Sequence, residues 1–253
     1  MSMASARTRY LFLLSHMRSY STVLAHILGS SPEVDGYGEM HLRYRSRWSL
    51  WALPWKVRRA TGAPLRGPWL LDKLLHNRIR GPWRLLPAER YRVLIFLRQP
   101  RPTLQSLLAM QPILPTDQPW TAHRACEYYV ERLHRLRIEG ERIGRQAIYL
   151  DAEALLQHPA AVLARLGAWL SLQTPLSADY KVFPRTGRTG IGDPGEHIHS
   201  GRLKSDTERG SCSRWIDPLV LAEAEAAYQR CRAALLQTCS SDSCLLLDSA
   251  TAS

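Results

Sequence analysis

The segment that most constrains the fold is Tyr10–Leu28, where an apolar run is followed by a short polar loop and an amphipathic stretch. The apolar run predicts a strand at Tyr10–Ser15, and the residues after the loop repeat at helical spacing. A strand–loop–helix unit aims backbone N–H groups at one point, with the positive end of the helix dipole behind them. The sequence therefore predicts a phosphate or sulfate site in this loop, where Arg18, Ser21 and Thr22 add side-chain donors.

Short apolar runs bounded by polar sequence recur along the chain. Besides Tyr10–Ser15, the candidate strands are Trp69–Asp72, Tyr91–Leu97 and Ala147–Leu150. Helical spacing and helix-start signals predict helices at Pro102–Met110, at Ala122–Arg145, at Ala160–Leu170 and from Asp217–Pro218 to Thr238. Strands alternating with helices are typical of a three-layer α/β fold, with a central parallel sheet and helices on both faces.

The length suits one domain, and the charge is unusual. The 253 residues are 45% hydrophobic and 22% charged, and the net charge is +12, which indicates an anionic partner. Nucleic acid, acidic lipid and a polyanionic cofactor all fit this charge. We expect one domain over residues 1–238 and a flexible tail over residues 239–253, which are rich in Ser and Ala.

Membrane-spanning and metal-binding classes receive no support from the sequence. No apolar run reaches the ~20 residues that span a bilayer, and the run at Tyr10–Leu14 is too short for a secretion signal. We therefore expect a cytoplasmic protein. The five cysteines are scattered and odd in number, without a C-x-x-C pair, so we expect reduced thiols and no metal site.

Two interpretations of the first loop stay open when it is taken alone. The P-loop pattern G-x-x-x-x-G-K-[ST] is absent, and residues 18–22 read Arg-Ser-Tyr-Ser-Thr instead. The strand–loop–helix order favours a nucleotide-type anion, while the missing lysine argues against hydrolysis of a magnesium-bound nucleotide. The alternative is an ordinary strand–helix connection that binds nothing.

A second group of residues follows the strand Tyr91–Leu97. Arg98 lies at the carboxyl end of that strand, where parallel sheets bind ligands, and Ser106 lies about two turns into the next helix. A guanidinium and a hydroxyl so placed could share one phosphate. A solvated arginine and a serine on the helix surface are the alternative for either residue alone.

Taken together, these segments resemble the sulfotransferases that use 3′-phosphoadenosine 5′-phosphosulfate (PAPS). His16–Thr22 is similar to their 5′-phosphosulfate loop R-S-G-T-T, and Arg98 with Ser106 matches their 3′-phosphate motif. Ile148–Pro159, continuing to Leu166–Leu170, resembles their Y-E-D-L…P…L-x-x-F-L segment, and the run from Thr189 to Trp215 is similar to a G-D-P…R-W segment of bacterial members. The resemblance extends from Tyr10 to about Trp215 and rests on the order and spacing of the motifs.

The resemblance implies a P-loop-NTPase-like sulfotransferase fold, PAPS as the sulfuryl donor, 3′-phosphoadenosine 5′-phosphate as the product, and no metal. The residues expected to bind the donor are Arg18, Ser19, Tyr20, Ser21, Thr22, Arg98 and Ser106. Tyr20 stands where the common loop has Gly. If that Gly serves a positive φ or a close approach of the cofactor, Tyr would disturb binding; we interpret the R-S-Y-S loop as the mark of a subfamily.

Sulfuryl transfer to a hydroxyl needs a base, because the acceptor loses its proton as the new bond forms. Glu39 is the candidate, since it lies in the segment after the first helix where several relatives carry a catalytic Glu. His41 and His16 are the runners-up, and a surface carboxylate is the alternative for Glu39. The charge of Arg18 would keep this carboxylate ionised.

Three further cations are candidates for the site. Asp72–Lys73 resembles a D-K pair of many relatives, so that Lys73 could stabilise the charge that develops on the sulfuryl group. A strand-end lysine in solvent is the alternative. The resemblance also implies that Arg185 or Arg188 belongs to a loop covering the 3′-phosphate; a long irregular segment is predicted at Thr186–Asp206, directly after Arg185.

The segment Leu42–Pro68 holds seven Arg or Lys residues and no acidic residue. Trp48, Trp51 and Trp55 share one helical face. We expect this tryptophan face to pack on the core with the arginines outward. The alternatives are an apolar acceptor pocket and a membrane-surface face, and the loop Gln111–Trp120 is a candidate lid.

The sequence thus predicts a PAPS-dependent sulfotransferase whose acceptor is an unidentified small molecule, carbohydrate or lipid. A peripheral membrane contact is compatible with the tryptophan-rich segment. A nucleotide-binding, kinase-like protein and a non-catalytic basic protein that binds nucleic acid or an anionic surface are the alternatives. The chain has no DNA- or RNA-binding signature, so we expect no nucleic-acid partner.

Overall fold

Five parallel strands form one sheet in the computed structural model, which describes residues 8–77, 81–110, 118–187, 196–204 and 214–239. The strands are β1 (Arg9–Ser15), β2 (Val34–Asp35), β3 (Trp69–Leu74), β4 (Tyr91–Leu97) and β5 (Ala147–Asp151). Their order across the sheet is β2-β3-β1-β4-β5, and every pairing is parallel. The predicted class, α/β with a central parallel sheet and surrounding helices, is confirmed.

Helices follow the strands on both faces of the sheet. They are α1 (Ser21–Ser30), α2 (Arg47–Thr61), α3 (Pro100–Leu108), α4 (Ala122–Ile143), α5 (Ala152–Gln157), α6 (Pro159–Leu170) and α7 (Pro218–Thr238). Short 3-10 turns occur at Ala88–Arg90, Gly144–Gln146 and Glu196–Ser200. The predicted start of the last helix is confirmed, because the Asp217 carboxylate accepts a hydrogen bond from Leu219 N at 2.8 Å.

Two apolar clusters cover the two faces of the sheet. Leu11 and Leu13 of β1 point into a cluster with α1 and α6, while Phe12 and Leu14 point into a cluster with α2, α4 and α7. This alternation along one strand is the period of two that β-structure imposes. Since β1 is the middle strand of the sheet, between β3 and β4, the loop after it lies at the centre of the sheet's carboxyl edge.

Four of the five strands were predicted, and β2 was not. β2 has two residues, too few for any periodic pattern, and it joins the sheet as an edge strand beside β3. Within the segment Thr186–Asp206, for which an irregular loop was predicted, Glu196–Ser200 forms a 3-10 turn. Residues 111–117 of the candidate lid and the tail after residue 239 lie outside the described residues.

The prediction that the tryptophan face of α2 packs on the core was wrong. Trp48, Trp51 and Trp55 are 73%, 69% and 60% exposed. The helix instead buries an aliphatic stripe, which consists of Leu50, Leu53, Val57 and Ala60. Both stripes have helical spacing and lie on opposite sides of the helix, so only one can face the sheet. The smaller aliphatic side chains are the ones that pack against it.

Among the helices of the described residues, none is both long and apolar enough to cross a bilayer.

Candidate functional site

The loop between β1 and α1 has an unusual backbone. Arg18 and Tyr20 adopt left-handed conformations, with φ of 64° and 66°, which favour glycine and are uncommon for other residues. Tyr20 thus retains, at about 1–3 kcal/mol of strain, the positive φ that a Gly would adopt without strain. Left-handed residues in such a loop turn successive N–H groups toward a common point, directly before the N-terminus of α1.

Hydrogen bonds to α4 and within the loop itself hold this loop in place. Met17 N donates to the hydroxyl of Tyr128 on α4 at 2.8 Å. The Ser19 hydroxyl donates to the His16 carbonyl at 2.8 Å, so the side chain of Ser19 points into the loop rather than toward a ligand. Ser21 and Thr22 begin α1 and are buried. The loop is therefore held in shape by the protein itself.

His16 has a structural role in this arrangement. Its Nε2 accepts a hydrogen bond from Arg98 N at 3.0 Å, and its Nδ1 lies 2.8 Å from the Met17 carbonyl, to which it donates. The ring is fully buried, which lowers its pKa to about 3. Because both ring nitrogens are engaged by the backbone, the imidazole is not placed to act as a base, contrary to its standing as a runner-up.

Arg18, Tyr20, Arg98 and Ser106 form one cluster, as their positions in the sequence suggested. The Arg18 Nε donates to the Ser106 hydroxyl at 2.8 Å. The Arg98 guanidinium donates to the Arg18 carbonyl at 3.0 Å and stacks on the Tyr20 ring at 4.1 Å from its centroid. Two guanidinium groups and a hydroxyl thus meet beside the loop, which is a donor set suited to a phosphate.

Lys73 joins the loop to Glu39. The lysine is fully buried, and its Nζ donates to the Thr22 hydroxyl at 3.0 Å. The same Nζ lies 3.5 Å from a carboxylate oxygen of Glu39. The second oxygen of Glu39 lies 3.2 Å from Nε2 of His76, a half-exposed residue just after β3. The alternative of a solvated strand-end lysine is therefore excluded by the geometry.

Glu39 is kept ionised by its surroundings. Burial raises the pKa of its carboxyl group, but the attraction of Lys73, the hydrogen bond to His76 and the nearby His41 together bring the pKa below its ordinary value. The expected contribution of Arg18 is thus made by Lys73 instead. The side chain is only 7% exposed, so the surface-carboxylate alternative does not describe it.

Asp72, the neighbour of Lys73, points to the other face of the sheet and has a different role. Its carboxylate accepts from Met40 N at 2.8 Å and from the Tyr44 hydroxyl at 2.5 Å. Burial raises its pKa to about 7, although these two hydrogen bonds act in the opposite direction. Asp72 therefore anchors the segment that carries His41.

A cavity of about 270 Å³ opens beside Glu39. Its lining residues are Tyr37, Gly38, Glu39, Met40, His41, Trp55, Lys56, Arg59, Ala60 and Arg185. His41 is exposed, has a φ of 50°, and its ring centroid lies 5.7 Å from that of His76. Candidate ligand atoms of Glu39, His41 and His76 lie within 4.8 Å of one another, close enough to hold a metal ion.

Arg185 reaches the cavity because its segment is docked on α1. The Thr186 hydroxyl lies 2.8 Å from Nε2 of the buried His26, and Phe183 stacks on Tyr37 with centroids 4.0 Å apart. This places the Arg185 side chain in the lining of the cavity that contains Glu39, and its expected role at the 3′-phosphate stays a prediction. Arg188, the other candidate of this segment, lies outside the described residues.

Sequence reasoning missed Arg132, His76 and Tyr128. Arg132 is fully buried; it donates to the Ser15 carbonyl at 2.7 Å and to the Leu74 carbonyl at 2.6 Å. Burial lowers its pKa to about 10. A signal was present, because Arg132 interrupts the buried stripe of α4. A charged residue at a core position indicates a specific partner.

The arrangement supplies anion-binding groups, a buried cation and an ionised carboxylate at one edge of a parallel sheet. No protein-family model matches the chain, and no curated protein matches its sequence.

Proposed function

We propose that the protein is a PAPS-dependent sulfotransferase. The observation that carries the proposal is two sets of contacts at the carboxyl edge of the sheet, which the chain from Arg18 to Thr22 connects. In the first set, Arg18 of the loop donates to the Ser106 hydroxyl. In the second, Lys73 donates to the hydroxyl of Thr22, the second residue of α1, and lies beside Glu39 at the cavity. Phosphate-binding groups and a base candidate are thus joined through a buried lysine.

The parts of the site fit the two ends of the donor. The N-terminus of α1 and the loop before it suit the 5′-phosphosulfate, because orphan N–H groups and the helix dipole favour an anion there. Arg98 and Ser106, with Tyr20, suit the 3′-phosphate. PAPS supplies the activated sulfuryl group, and the protein supplies position and charge.

Glu39 and Lys73 fit the chemistry of transfer. Glu39 would take the proton of the acceptor hydroxyl or amine as the acceptor atom forms its bond to sulfur. The bond between sulfur and the bridging phosphate oxygen then breaks, and the electron pair leaves with 3′-phosphoadenosine 5′-phosphate. Lys73 would stabilise the charge that develops on the transferring group. We propose that this charge stabilisation comes from side chains, without a metal requirement.

The acceptor would occupy the cavity beside Glu39, where Arg59 and Arg185 add positive charge to a wall that includes Trp55. An acceptor with both an apolar body and a nearby hydroxyl or amine fits this lining. Small molecules, carbohydrates and lipids all contain such groups.

Calorimetry with 3′-phosphoadenosine 5′-phosphate and with AMP tests the proposal without knowledge of the acceptor. We expect the bisphosphate to bind in the absence of Mg²⁺ and at least tenfold more tightly than AMP, since a charge-assisted phosphate contact contributes about 1.5–3 kcal/mol. Equal affinities would contradict the 3′-phosphate site, and no binding of either nucleotide would contradict the function.

A further inference from the structure

The outward face of α2 is an exposed aromatic surface, which we call the Trp face and define as Trp48, Trp51 and Trp55. All three side chains are more than half exposed. The rings of Trp48 and Trp51 pack edge to face at 4.8 Å. Contiguous exposed apolar patches are uncommon on proteins without a partner and mark interaction sites. The core does not account for this surface, because α2 buries its opposite, aliphatic side.

Cations flank the Trp face. Arg47, Arg58 and Arg59 lie on the same helix and are exposed; the guanidinium of Arg59 lies 5.6 Å from the Trp55 ring. The segment from Leu42 to Pro68 contains no acidic residue that would offset them. The partner of this surface is therefore expected to combine negative charge with apolar material.

The Trp face is continuous with the candidate site. Trp55 and Arg59 belong both to this surface and to the lining of the cavity that contains Glu39. Lys56, on the same helix, donates to the Met40 carbonyl at 2.7 Å and so fixes α2 to the segment between Glu39 and His41. A molecule held on the Trp face would reach Glu39 without crossing a different surface.

We propose that the Trp face docks on an anionic lipid surface and that the acceptor is a hydroxyl- or amine-bearing molecule presented there. The second statement rests on the proposed sulfotransferase function; the first does not. Indole rings are amphipathic and settle at the membrane–water interface. Neighbouring arginines add attraction to acidic headgroups, worth about a fivefold gain in affinity for each residue near the surface.

Charge and shape select this occupant over others. A second copy of the chain would bring a net charge of +12 against +12, which opposes self-association. Single-stranded nucleic acid binds in basic grooves that follow its backbone, whereas these rings project from the convex side of one helix. A planar lipid surface suits rings that project side by side.

Sedimentation with lipid vesicles tests the docking. We expect binding to vesicles that contain phosphatidylglycerol and much weaker binding to phosphatidylcholine alone, with the anionic component lost in high salt. The triple variant Trp48→Ala/Trp51→Ala/Trp55→Ala should lose roughly tenfold or more in affinity. Trp215→Ala is the matched control, because Trp215 is 79% exposed but precedes α7, and it should bind like the wild type.

A charge variant keeps the test valid if the triple variant fails to fold. Arg58→Glu/Arg59→Glu alters two exposed side chains and should weaken vesicle binding by roughly 25-fold or more. Wild-type vesicle affinity in a folded triple variant, or in the charge variant, would overturn the proposal. Stronger binding to a single-stranded oligonucleotide than to anionic vesicles, lost in the same variants, would overturn it in favour of nucleic acid.

The docking and the sulfotransferase function can fail separately. Affinity for 3′-phosphoadenosine 5′-phosphate should be unchanged in Trp48→Ala/Trp51→Ala, a double variant that leaves Trp55 of the cavity in place. If the protein binds vesicles but not the bisphosphate, the docking proposal is supported and the proposed sulfotransferase function is contradicted. The reverse result would remove the lipid surface and leave the enzyme proposal intact.

Discussion

Two buried carboxylates, Asp151 and Glu39, lie near the carboxyl edge of the same sheet and are held in different ways. Asp151, at the end of β5, accepts hydrogen bonds from Tyr149 and Tyr228 and pairs with Arg232 at 2.9 Å. Glu39 has Lys73 at 3.5 Å and His76 at 3.2 Å, and it faces a cavity.

The difference separates a structural ion pair from one whose surroundings suit the base proposed for Glu39. The oxygens of Asp151 are satisfied by donors from β5 and α7, so this carboxylate joins the last helix to the sheet. Glu39 has a looser set of donors, a route to solvent through half-exposed His76, and open volume beside it. A buried carboxylate that must accept a proton needs this kind of incomplete satisfaction.

The largest expected effect concerns stability and Asp151. Asp151→Ala should lower the free energy of unfolding by about 3–5 kcal/mol, because it leaves Arg232 and two buried tyrosine hydroxyls without their acceptor. Urea unfolding measures this loss. Glu141→Ala is the control, since its ion pair with Arg137 is exposed and should contribute less than about 1 kcal/mol. A change of similar size in both variants would contradict the assigned role of Asp151.

Glu39→Gln should affect turnover most. Turnover should fall by ~10²–10⁴-fold because the base is removed, while affinity for the bisphosphate changes little. The urea midpoint should fall as well, because the fully buried Lys73 loses the negative charge beside it. Once an acceptor is found, steady-state rates with PAPS measure the loss of turnover. His41→Ala should have a smaller effect; a large loss in His41→Ala with near-normal turnover in Glu39→Gln would transfer the role to the imidazole.

Arg98→Ala should weaken binding of 3′-phosphoadenosine 5′-phosphate by about 1.5–3 kcal/mol, the range of a charge-assisted hydrogen bond. Ser106→Ala should have a smaller effect, since its hydroxyl is neutral. Calorimetry with the bisphosphate and with AMP measures both, and the affinity for AMP should change less in each variant. Wild-type affinity in both variants would show that the 3′-phosphate does not bind there.

Added Zn²⁺ should distinguish the two carboxylates directly. Glu39, His41 and His76 can approach one ion, whereas Asp151 already has its donors. Because the proposed transfer needs no metal, zinc held by these three residues would act as an inhibitor that occupies the base. His76→Ala should weaken that binding by roughly tenfold or more. His134→Ala, an exposed histidine of α4, is the control. Equal zinc affinity in both variants would place the metal elsewhere.

The smallest expected effect is an absence of pH dependence. The pKa of Glu39 lies below its ordinary value, so its carboxylate is deprotonated, as the proposed base must be, at all pH values above that range. We therefore expect kcat/KM to stay nearly constant from pH 8 down to about pH 5, whereas an imidazole base of ordinary pKa would have lost half of its activity by about pH 6.5. A decline centred near pH 6.5 would contradict the assignment to Glu39.

The fold was more predictable than the site because its signals are local. Continuous apolar runs identified β1, β3, β4 and β5, while two-residue β2 carries no such pattern. The position of Arg98 at a strand end was informative, since parallel strands bring their carboxyl ends to one edge. His76 could not be placed in the site, and the position of Arg132 in the buried stripe of α4 indicated burial without indicating its partners, because those partners are set by tertiary packing. The prediction that the tryptophan face packs on the core was wrong because periodicity does not indicate which of two apolar stripes is buried.

The bonds that Arg132 makes to the ends of β1 and β3 have a consequence for how two reactants meet. The loop with the expected sulfuryl site follows β1, and Lys73, the partner of Glu39, belongs to β3. The separation of the two strand ends therefore determines how far the expected sulfuryl site lies from Lys73. A planar guanidinium bonded to both carbonyls fixes that separation during folding. The two groups are therefore already oriented in the folded protein, and less entropy has to be lost when the reactants bind.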